Sequence, residues 1–153
     1  MARIDAAPET QLSDRQKLER EFPGKIVILP AGCFLYHRSR SLGNLTKEGF
    51  NPKRSHADGA FYFSDQRSIH SNCVVIIGQD LVLFNFNLMS DQEMEVLEES
   101  GNGNFWSGLV RRGFDGRSFR TADAYVETED GTHPNEVVIF RNGLAKLGEI
   151  KKL

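Results

Sequence analysis

From residue 26 onward, the apolar residues of this chain come in short runs, and glycine, asparagine, aspartate or proline separates one run from the next. Runs of about four to six apolar residues fit strands better than helices, which need about ten residues or more. Strands are therefore predicted at 26–29, 33–36, 60–63, 73–77, 81–86 and 136–140. The Gly78-Gln79-Asp80 break predicts a tight hairpin between the fourth and the fifth strand. No regular helix recurs between the strands, so we predict an α+β fold with a largely antiparallel sheet.

Two capping-box patterns predict where helices begin. A capping box places a glutamine or glutamate three residues after a serine, and each side chain caps the main-chain N–H of the other residue. Ser13 with Gln16 predicts a short helix that ends before Pro23. Ser90 with Glu93 predicts a second helix, which ends at a glycine-rich segment.

The length and composition describe one ordinary domain. Of the 153 residues, we assign 1–25 to a polar leader with a short helix and 26–153 to the strand-rich domain. The formal net charge of −2 gives no general attraction to nucleic acid or to an anionic membrane. Cys33 and Cys73 match no metal-binding spacing, which predicts free thiols and a cytoplasmic location. No apolar run approaches the ~18 residues of a spanning helix, and the N-terminus lacks the apolar middle of a classical signal peptide.

Three polar residues, His37, Tyr62 and Glu136, stand in strand-like surroundings. Each has an ordinary explanation when it is taken alone: a hydrogen-bonded histidine at a strand end, a core aromatic residue and a surface carboxylate. Together, however, a histidine, an aromatic ring and a carboxylate supply a hydrogen-bonding group, a stacking surface and a negative charge that can stabilise a developing cation. The three residues are therefore the candidate functional residues of the chain.

The segments around these residues occur in a familiar order. They read Leu-Tyr-His-Arg-Ser at 35–39, Gly-Ala-Phe-Tyr-Phe-Ser-Asp at 59–65 and Asn-Glu-Val-Val-Ile-Phe at 135–140. In this order they resemble the three motifs of the His-Tyr-Glu class of ADP-ribosyltransferases, which includes the poly(ADP-ribose) polymerases and the diphtheria-type toxins. Leu-Val-Arg-Arg-Gly-Phe-Asp-Gly at 109–116 is similar to a Gly-Tyr-Asp-Gly segment of transferase domains in phage and polymorphic-toxin proteins. The resemblance covers about residues 26–150 and implies split, largely antiparallel sheets with a few short helices.

The resemblance implies a role for each motif residue, with NAD as co-substrate. His37 would donate to a hydroxyl of the adenosine-side ribose, the main chain of Arg38 would pair with the nicotinamide amide, and Ser39 would assist nearby. Tyr62 would stack on the nicotinamide ring. Glu136 would accept from the 2′-hydroxyl of the nicotinamide ribose and stabilise the positive charge that develops as the glycosidic bond stretches. Glu136 could also act as a general base toward the attacking group.

Further basic residues are candidate partners of the pyrophosphate. Arg40, Lys53 and Arg54 lie near the first two motifs and could neutralise this dianionic linker, although a solvated basic loop explains them equally well. Two positions depart from the family pattern. Arg38 stands where the family usually has glycine, so its side chain must point away from the nicotinamide. Pro134 stands where arginine-modifying toxins carry a second glutamate or glutamine, which disfavours arginine as the acceptor.

Other features were assigned ordinary roles. Asp115 and Gly116 are typical turn formers. No Walker loop, Rossmann glycine fingerprint or zinc helix occurs, so no metal is predicted. A basic segment after the second helix could contact an acidic or nucleic-acid acceptor, but a charged surface is the simpler interpretation. Its members are Arg111, Arg112, Arg117 and Arg120.

The sequence therefore predicts a mono-ADP-ribosyltransferase that cleaves nicotinamide from NAD and passes ADP-ribose to a protein or nucleic-acid acceptor. Its small size suits a toxin, an effector or a phage-type modifier, with an immunity protein or antitoxin as partner and delivery into a target cell without a classical signal peptide. Two alternatives stay open: an NAD glycohydrolase with the same site, in which water is the acceptor, and an inactive transferase-like domain that only binds.

Overall fold

The computed structural model describes residues 12–54, 59–120 and 135–153. Five α-helices are described within these ranges: α1 Asp14–Glu21, α2 Leu42–Glu48, α3 Asp91–Ser100, α4 Phe105–Arg111 and α5 Arg141–Leu144. Short 3₁₀ turns cover Pro52–Arg54 and Phe86–Leu88. The eight described strands are β1 Ile26–Leu29, β2 Phe34–His37, β3 Phe61–Ser64, β4 Cys73–Ile77, β5 Leu81–Asn85, β6 Gly116–Arg120, β7 Asn135–Ile139 and β8 Leu147–Lys152. No helix in this described part of the chain is long and apolar enough to cross a membrane.

The strands form a mixed sheet with the order β1-β5-β6-β7-β3-β2-β4-β8. All neighbouring strands are antiparallel except β5 and β6. The predicted α+β class with a largely antiparallel sheet is thus confirmed. Strands β2 and β3 share only one residue pair, Tyr36 with Ser64, whereas their other neighbours pair over four residues. The sheet therefore divides at this junction into a five-stranded part, β1-β5-β6-β7-β3, and a three-stranded part, β2-β4-β8.

The predicted hairpin between β4 and β5 is wrong, because these strands belong to different parts of the sheet. The residues of the break have partners elsewhere. The N–H groups of Gly78 and Gln79 donate to the Lys146 carbonyl at 2.8 and 3.2 Å. The Asp80 carboxylate accepts from the Ala31 N–H at 2.9 Å. These hydrogen bonds hold the segment through which the chain passes from the three-stranded part of the sheet to the five-stranded part.

Both predicted capping boxes are present and start α1 and α3. The Ser13 hydroxyl accepts from the Gln16 N–H, and the Ser90 hydroxyl accepts from the Glu93 N–H, each at 3.1 Å. Helices α3 and α4 then connect β5 to β6, and this crossover makes the one parallel pair. The two helices touch closely at Gly108, where a Cβ atom would lie 2.1 Å from the Leu97 carbonyl oxygen.

Apolar side chains form two cores on opposite faces of the sheet. The first core contains Leu18 and Phe22 of α1 and residues of β5, α3, α4 and β7, whereas the second contains residues of β2, β3, β4, β5 and β7. Neighbouring residues of one strand belong to different cores, such as Val137 and Val138, because side chains alternate between the faces of a strand. The shared strands β5 and β7 therefore join the two cores.

Candidate functional site

His37, Tyr62 and Glu136 line one cleft of about 180 Å³, which we call the central cleft. They come from three strands that are adjacent in the sheet, β2, β3 and β7. Ser64 explains the arrangement, because it pairs with Tyr36 on one side and with Glu136 on the other. The central cleft thus lies at the junction where the sheet divides.

The His37 ring bridges this junction. Its Nδ1 lies 2.6 Å from the main-chain carbonyl oxygen of Tyr62. A carbonyl can only accept a hydrogen bond, so Nδ1 carries the proton. Burial lowers the pKa of His37 from 6.5, although the hydrogen bond to Tyr62 raises it in part. The ring is therefore neutral near pH 7, and its Nε2 is an acceptor.

The surroundings of the His37 ring are aromatic on one side. The rings of Phe50, Phe61 and Phe63 lie with their centroids 5.4, 6.2 and 5.1 Å from it. On its main-chain side, the His37 carbonyl accepts from the Cys73 thiol at 3.4 Å. Burial raises the pKa of Cys73 to about 11. Both cysteines are free, as predicted, and the Cys73 thiol has no nucleophilic character near neutral pH.

Tyr62 presents its ring to solvent, with 47% of its surface exposed. One neighbour of the ring is Trp106 of α4, at a centroid distance of 6.0 Å. An exposed aromatic ring beside a cleft is a suitable stacking surface for a planar group. This position fits the stacking role that the sequence predicts for Tyr62.

Glu136 forms an ion pair that the sequence analysis missed. Its Oε1 accepts a hydrogen bond from Nη2 of Arg117 at 2.6 Å. Phe119 lies directly opposite Glu136 in the β6–β7 pair, so Arg117, two residues before Phe119, projects from the same face as Glu136. The Glu136 side chain keeps 41% of its surface exposed, whereas the Arg117 side chain keeps 10%. The candidate catalytic carboxylate thus faces the cleft with a buried cation at its side.

The flanking motif residues fix the start of β7. Asp65 accepts from the N–H and from the side-chain amide of Asn135, both at 2.9 Å. The Asp65 N–H in turn donates to the Asn135 carbonyl at 3.2 Å. Three hydrogen bonds therefore hold the residue before Glu136 against the end of β3. This gives a structural reason for aspartate in the second motif and asparagine in the third.

A second, larger cleft of about 690 Å³ adjoins the central cleft, and His37, Arg38 and Tyr62 line both. Ser39 and Arg40 also line the larger cleft. Among the described residues, none forms a hydrogen bond with the main chain of Arg38, while its side chain lies near His70, with Nη1 3.5 Å from Nδ1. The main chain of Ser39 is bound on both sides by the Asn72 amide, at 2.9 and 2.7 Å.

The predicted pyrophosphate residue Lys53 is not brought to these clefts. Lys53 is exposed and lies in the 3₁₀ turn, and it lines neither cleft. The side chain of Arg54 lies outside the described part of the structure. Pro134 also lies outside the described residues. These assignments stay predictions.

Two ordinary assignments from the sequence are wrong. Asp115 and Gly116 do not form a turn: Gly116 begins β6, and Asp115 is 2% exposed. The Asp115 carboxylate accepts from the Val82 N–H and from the Lys146 ammonium, both at 2.8 Å. Arg117 is not a surface residue, since only 8% of it is exposed. Strand β6 escaped prediction because Phe119 is its one large apolar residue, so no apolar run marks it.

Comparisons with known proteins assign the chain to no family. No family model matches it, and no curated protein does. Among solved structures, a chain of the M. tuberculosis MbcT–MbcA toxin–antitoxin complex is similar at 13% sequence identity, over 92% of this chain and 91% of that chain. The TM-score of 0.34 is too low for this likeness to carry an argument about function.

Proposed function

We propose that this protein is a mono-ADP-ribosyltransferase that cleaves nicotinamide from NAD and transfers ADP-ribose to a macromolecular acceptor. One observation carries the proposal: His37, Tyr62 and Glu136, each from a different motif, line the same cleft. The order of the motifs in the sequence does not by itself place the three residues in one cleft. They line the same cleft because β3 lies between β2 and β7 in the sheet.

In the proposed reaction, Tyr62 and Glu136 of the central cleft have separate roles. Tyr62 stacks on the nicotinamide ring and aligns it for departure. Glu136 accepts from the 2′-hydroxyl of the nicotinamide ribose and stabilises the positive charge on the sugar. The bond between C1′ and the nicotinamide nitrogen breaks, and its electron pair leaves with nicotinamide. A lone pair of the acceptor forms the new bond to C1′, and the proton that the acceptor loses passes to solvent water. Electrostatic stabilisation of this kind favours the transition state over the ground state.

The neutral state of His37 changes its predicted role. Because Nδ1 donates to the Tyr62 carbonyl, Nε2 accepts from a ribose hydroxyl and does not donate to it. The open main chain of Arg38 suits the nicotinamide amide, which needs one donor and one acceptor. Arg40 in the larger cleft supplies a cation for the pyrophosphate. Two adjoining clefts that share His37 suit a substrate with two nucleoside halves.

The proposed function is tested by nicotinamide release from NAD. We expect Glu136→Gln to lower kcat by about 10²–10³-fold, because the neutral amide cannot stabilise a developing cation. NAD binding, measured by calorimetry, should be largely retained. Glu149→Gln is the matched control, since Glu149 is an exposed carboxylate on β8, and it should release nicotinamide at the wild-type rate. Full activity of Glu136→Gln would overturn the mechanism.

The acceptor is identified by a labelling experiment. Cell lysate is incubated with this protein and with NAD that carries a label on the adenosine half. Label that protease removes indicates a protein acceptor, and label that nuclease removes indicates nucleic acid. Nicotinamide release without any labelled macromolecule would favour an NAD glycohydrolase with the same site. Co-purification of an antitoxin or immunity protein from the native source would support the toxin interpretation.

The Arg117–Glu136 ion pair favours a second candidate, an inactive domain that binds NAD without cleaving it. A cation 2.6 Å from the carboxylate offsets part of the negative charge that the sugar cation would use. This candidate predicts a rise of the melting temperature with NAD and no nicotinamide release. The two measurements together separate it from the transferase and from the glycohydrolase.

A further inference from the structure

Arg117 is a buried cation whose guanidinium has one hydrogen-bond partner among the described residues. That partner is Glu136, through the 2.6 Å bond from Nη2 to Oε1. The other terminal nitrogen, Nη1, is buried without a partner in the described structure. Burying a charge that is incompletely paired is unfavourable, so such a residue needs a compensating interaction. The interaction with the candidate catalytic carboxylate is the only ion pair that the described residues give it.

Aromatic rings hold the guanidinium in place. Its Cζ atom lies 5.5 Å from the ring centroid of Phe86 and 5.9 Å from those of Trp106 and Phe119. Rings at these distances attract a cation through their π-electrons. Trp106 also neighbours Tyr62. The same cluster therefore supports two of the three candidate catalytic residues.

We propose that Arg117 is a positioning residue for the catalytic carboxylate of Glu136, and this inference rests on the proposed function. Arg117 binds Oε1 and fixes the rotation of the carboxylate. Oε2 receives no hydrogen bond from the described residues, so it is the oxygen that accepts from the 2′-hydroxyl of the nicotinamide ribose.

Arg112 is a control residue that separates a positioning role of Arg117 from a purely structural role. Arg112 donates from Nε to Glu21 at 2.7 Å, and its Cζ lies 5.6 Å from the Phe22 ring. Its side chain is 18% exposed, compared with 10% for Arg117. Arg112 also donates from Nη1 to the Ser100 hydroxyl, so its substitution removes an ion pair, a further hydrogen bond and a cation–ring contact. Of the two arginines, only Arg117 contacts a residue of the central cleft.

The test compares Arg117→Met with Arg112→Met in the nicotinamide-release assay, with melting temperatures measured for both. We expect Arg117→Met to lower kcat by about 10²-fold while KM for NAD changes less than about threefold, because a misplaced carboxylate affects the transition state more than binding. Arg112→Met should keep the wild-type kcat at temperatures below its melting transition. Arg117→Ala with added guanidinium chloride at millimolar concentration should regain part of the lost kcat, which a general loss of stability would not allow.

The outcomes separate the inference from the proposed function. Wild-type protein that releases no nicotinamide overturns both. Active wild type with an equal kcat in Arg117→Met overturns the positioning role alone. If Arg117→Met does not fold, Arg117→Lys replaces it: the ammonium keeps the charge but not the planar fork, so a reduced kcat with an unchanged KM supports the inference. An undiminished kcat in Arg117→Lys contradicts it.

Discussion

His37 is a titratable side chain whose surroundings decide its charge. Burial lowers its pKa below the 6.5 of the unfolded chain. Between pH 6.5 and the lower folded pKa, the unfolded chain therefore binds the proton more readily than the folded protein does. The contribution of His37 to stability is complete above this window and is lost as the pH falls through it.

We predict that the melting temperature falls less with pH in a His37→Asn variant than in the wild type. The measurement is the change in melting temperature by circular dichroism between about pH 7.5 and about pH 5.5. His70→Asn is the control, because His70 is an exposed histidine of the same cleft and should leave the wild-type dependence intact. Equal pH dependence in wild type and His37→Asn would show that His37 has no depressed pKa.

At the scale of single residues, the sequence identifies the candidate residues but not the contacts between them. The motifs point to His37, Tyr62 and Glu136, and all three line the central cleft. Arg117 could not be found in this way, because its contact with Glu136 depends on the register of β6 against β7. No local pattern encodes that register. The neutral state of His37 is likewise set by the Tyr62 carbonyl, which belongs to another strand.

The contact between α3 and α4 is the element-scale feature with the clearest energetic consequence. At Gly108 the helices approach so closely that a Cβ atom would lie 2.1 Å from the Leu97 carbonyl oxygen. Main-chain atoms cannot move aside as easily as the end of a side chain can. Only glycine therefore allows α4 to pack at this distance from α3.

We predict that Gly108→Ala destabilises the fold by about 1–3 kcal/mol, because the added methyl group forces the two helices apart. Gly43→Ala in α2 is the matched control, since nothing lies within 4 Å of a Cβ atom at that position. There alanine should stabilise the protein by about 0.5–1 kcal/mol through its better helix propensity. Urea unfolding of both variants provides the measurement, and a neutral Gly108→Ala would contradict the close approach.

At the scale of helices and strands, the elements that the sequence predicts correctly are those that carry a local sequence pattern. Capping boxes place α1 and α3 correctly, because serine and its partner act within one turn. Apolar runs locate six of the eight described strands to within about a residue. Strands β6 and β8 have few apolar residues and are stabilised by their neighbours, so they carry no such signal. The hairpin prediction is wrong because the hydrogen-bond partners of Gly78 and Asp80 are distant in sequence, so no local pattern indicates them.

At the scale of the whole molecule, the two cores are joined by strands that contribute residues to both. Strands β5 and β7 contribute alternate residues to each core, so disruption of one core displaces strands that the other needs. Leu18 and Phe22 place α1 in the first core, although the sequence predicts that helix in a separate segment that ends at residue 25. The division of the chain into residues 1–25 and 26–153 stays a prediction.

We predict that a change in the second core shifts the unfolding of the first. Ile77→Val should lower the free energy of unfolding by about 0.5–1.5 kcal/mol. The single tryptophan, Trp106, packs against the first core and reports on it by fluorescence. Its urea midpoint should move with that of circular dichroism. Val96→Ala, at an exposed site on α3, is the control with little effect. A fluorescence midpoint that Ile77→Val leaves unchanged would show that the cores unfold separately.

The order of the strands also determines which strands could pair with a strand of another copy of the protein. Strands β1 and β8 stand at the two ends of the sheet that the described residues form, and an edge strand can recruit a strand from another molecule. Glu149, Lys151 and Lys152 are exposed along β8, so an added strand there would crowd charged side chains. At the other edge, β1 has only four residues and is followed by Pro30, which has no N–H to offer. Both ends of the described sheet therefore have features that disfavour the addition of a strand from another molecule.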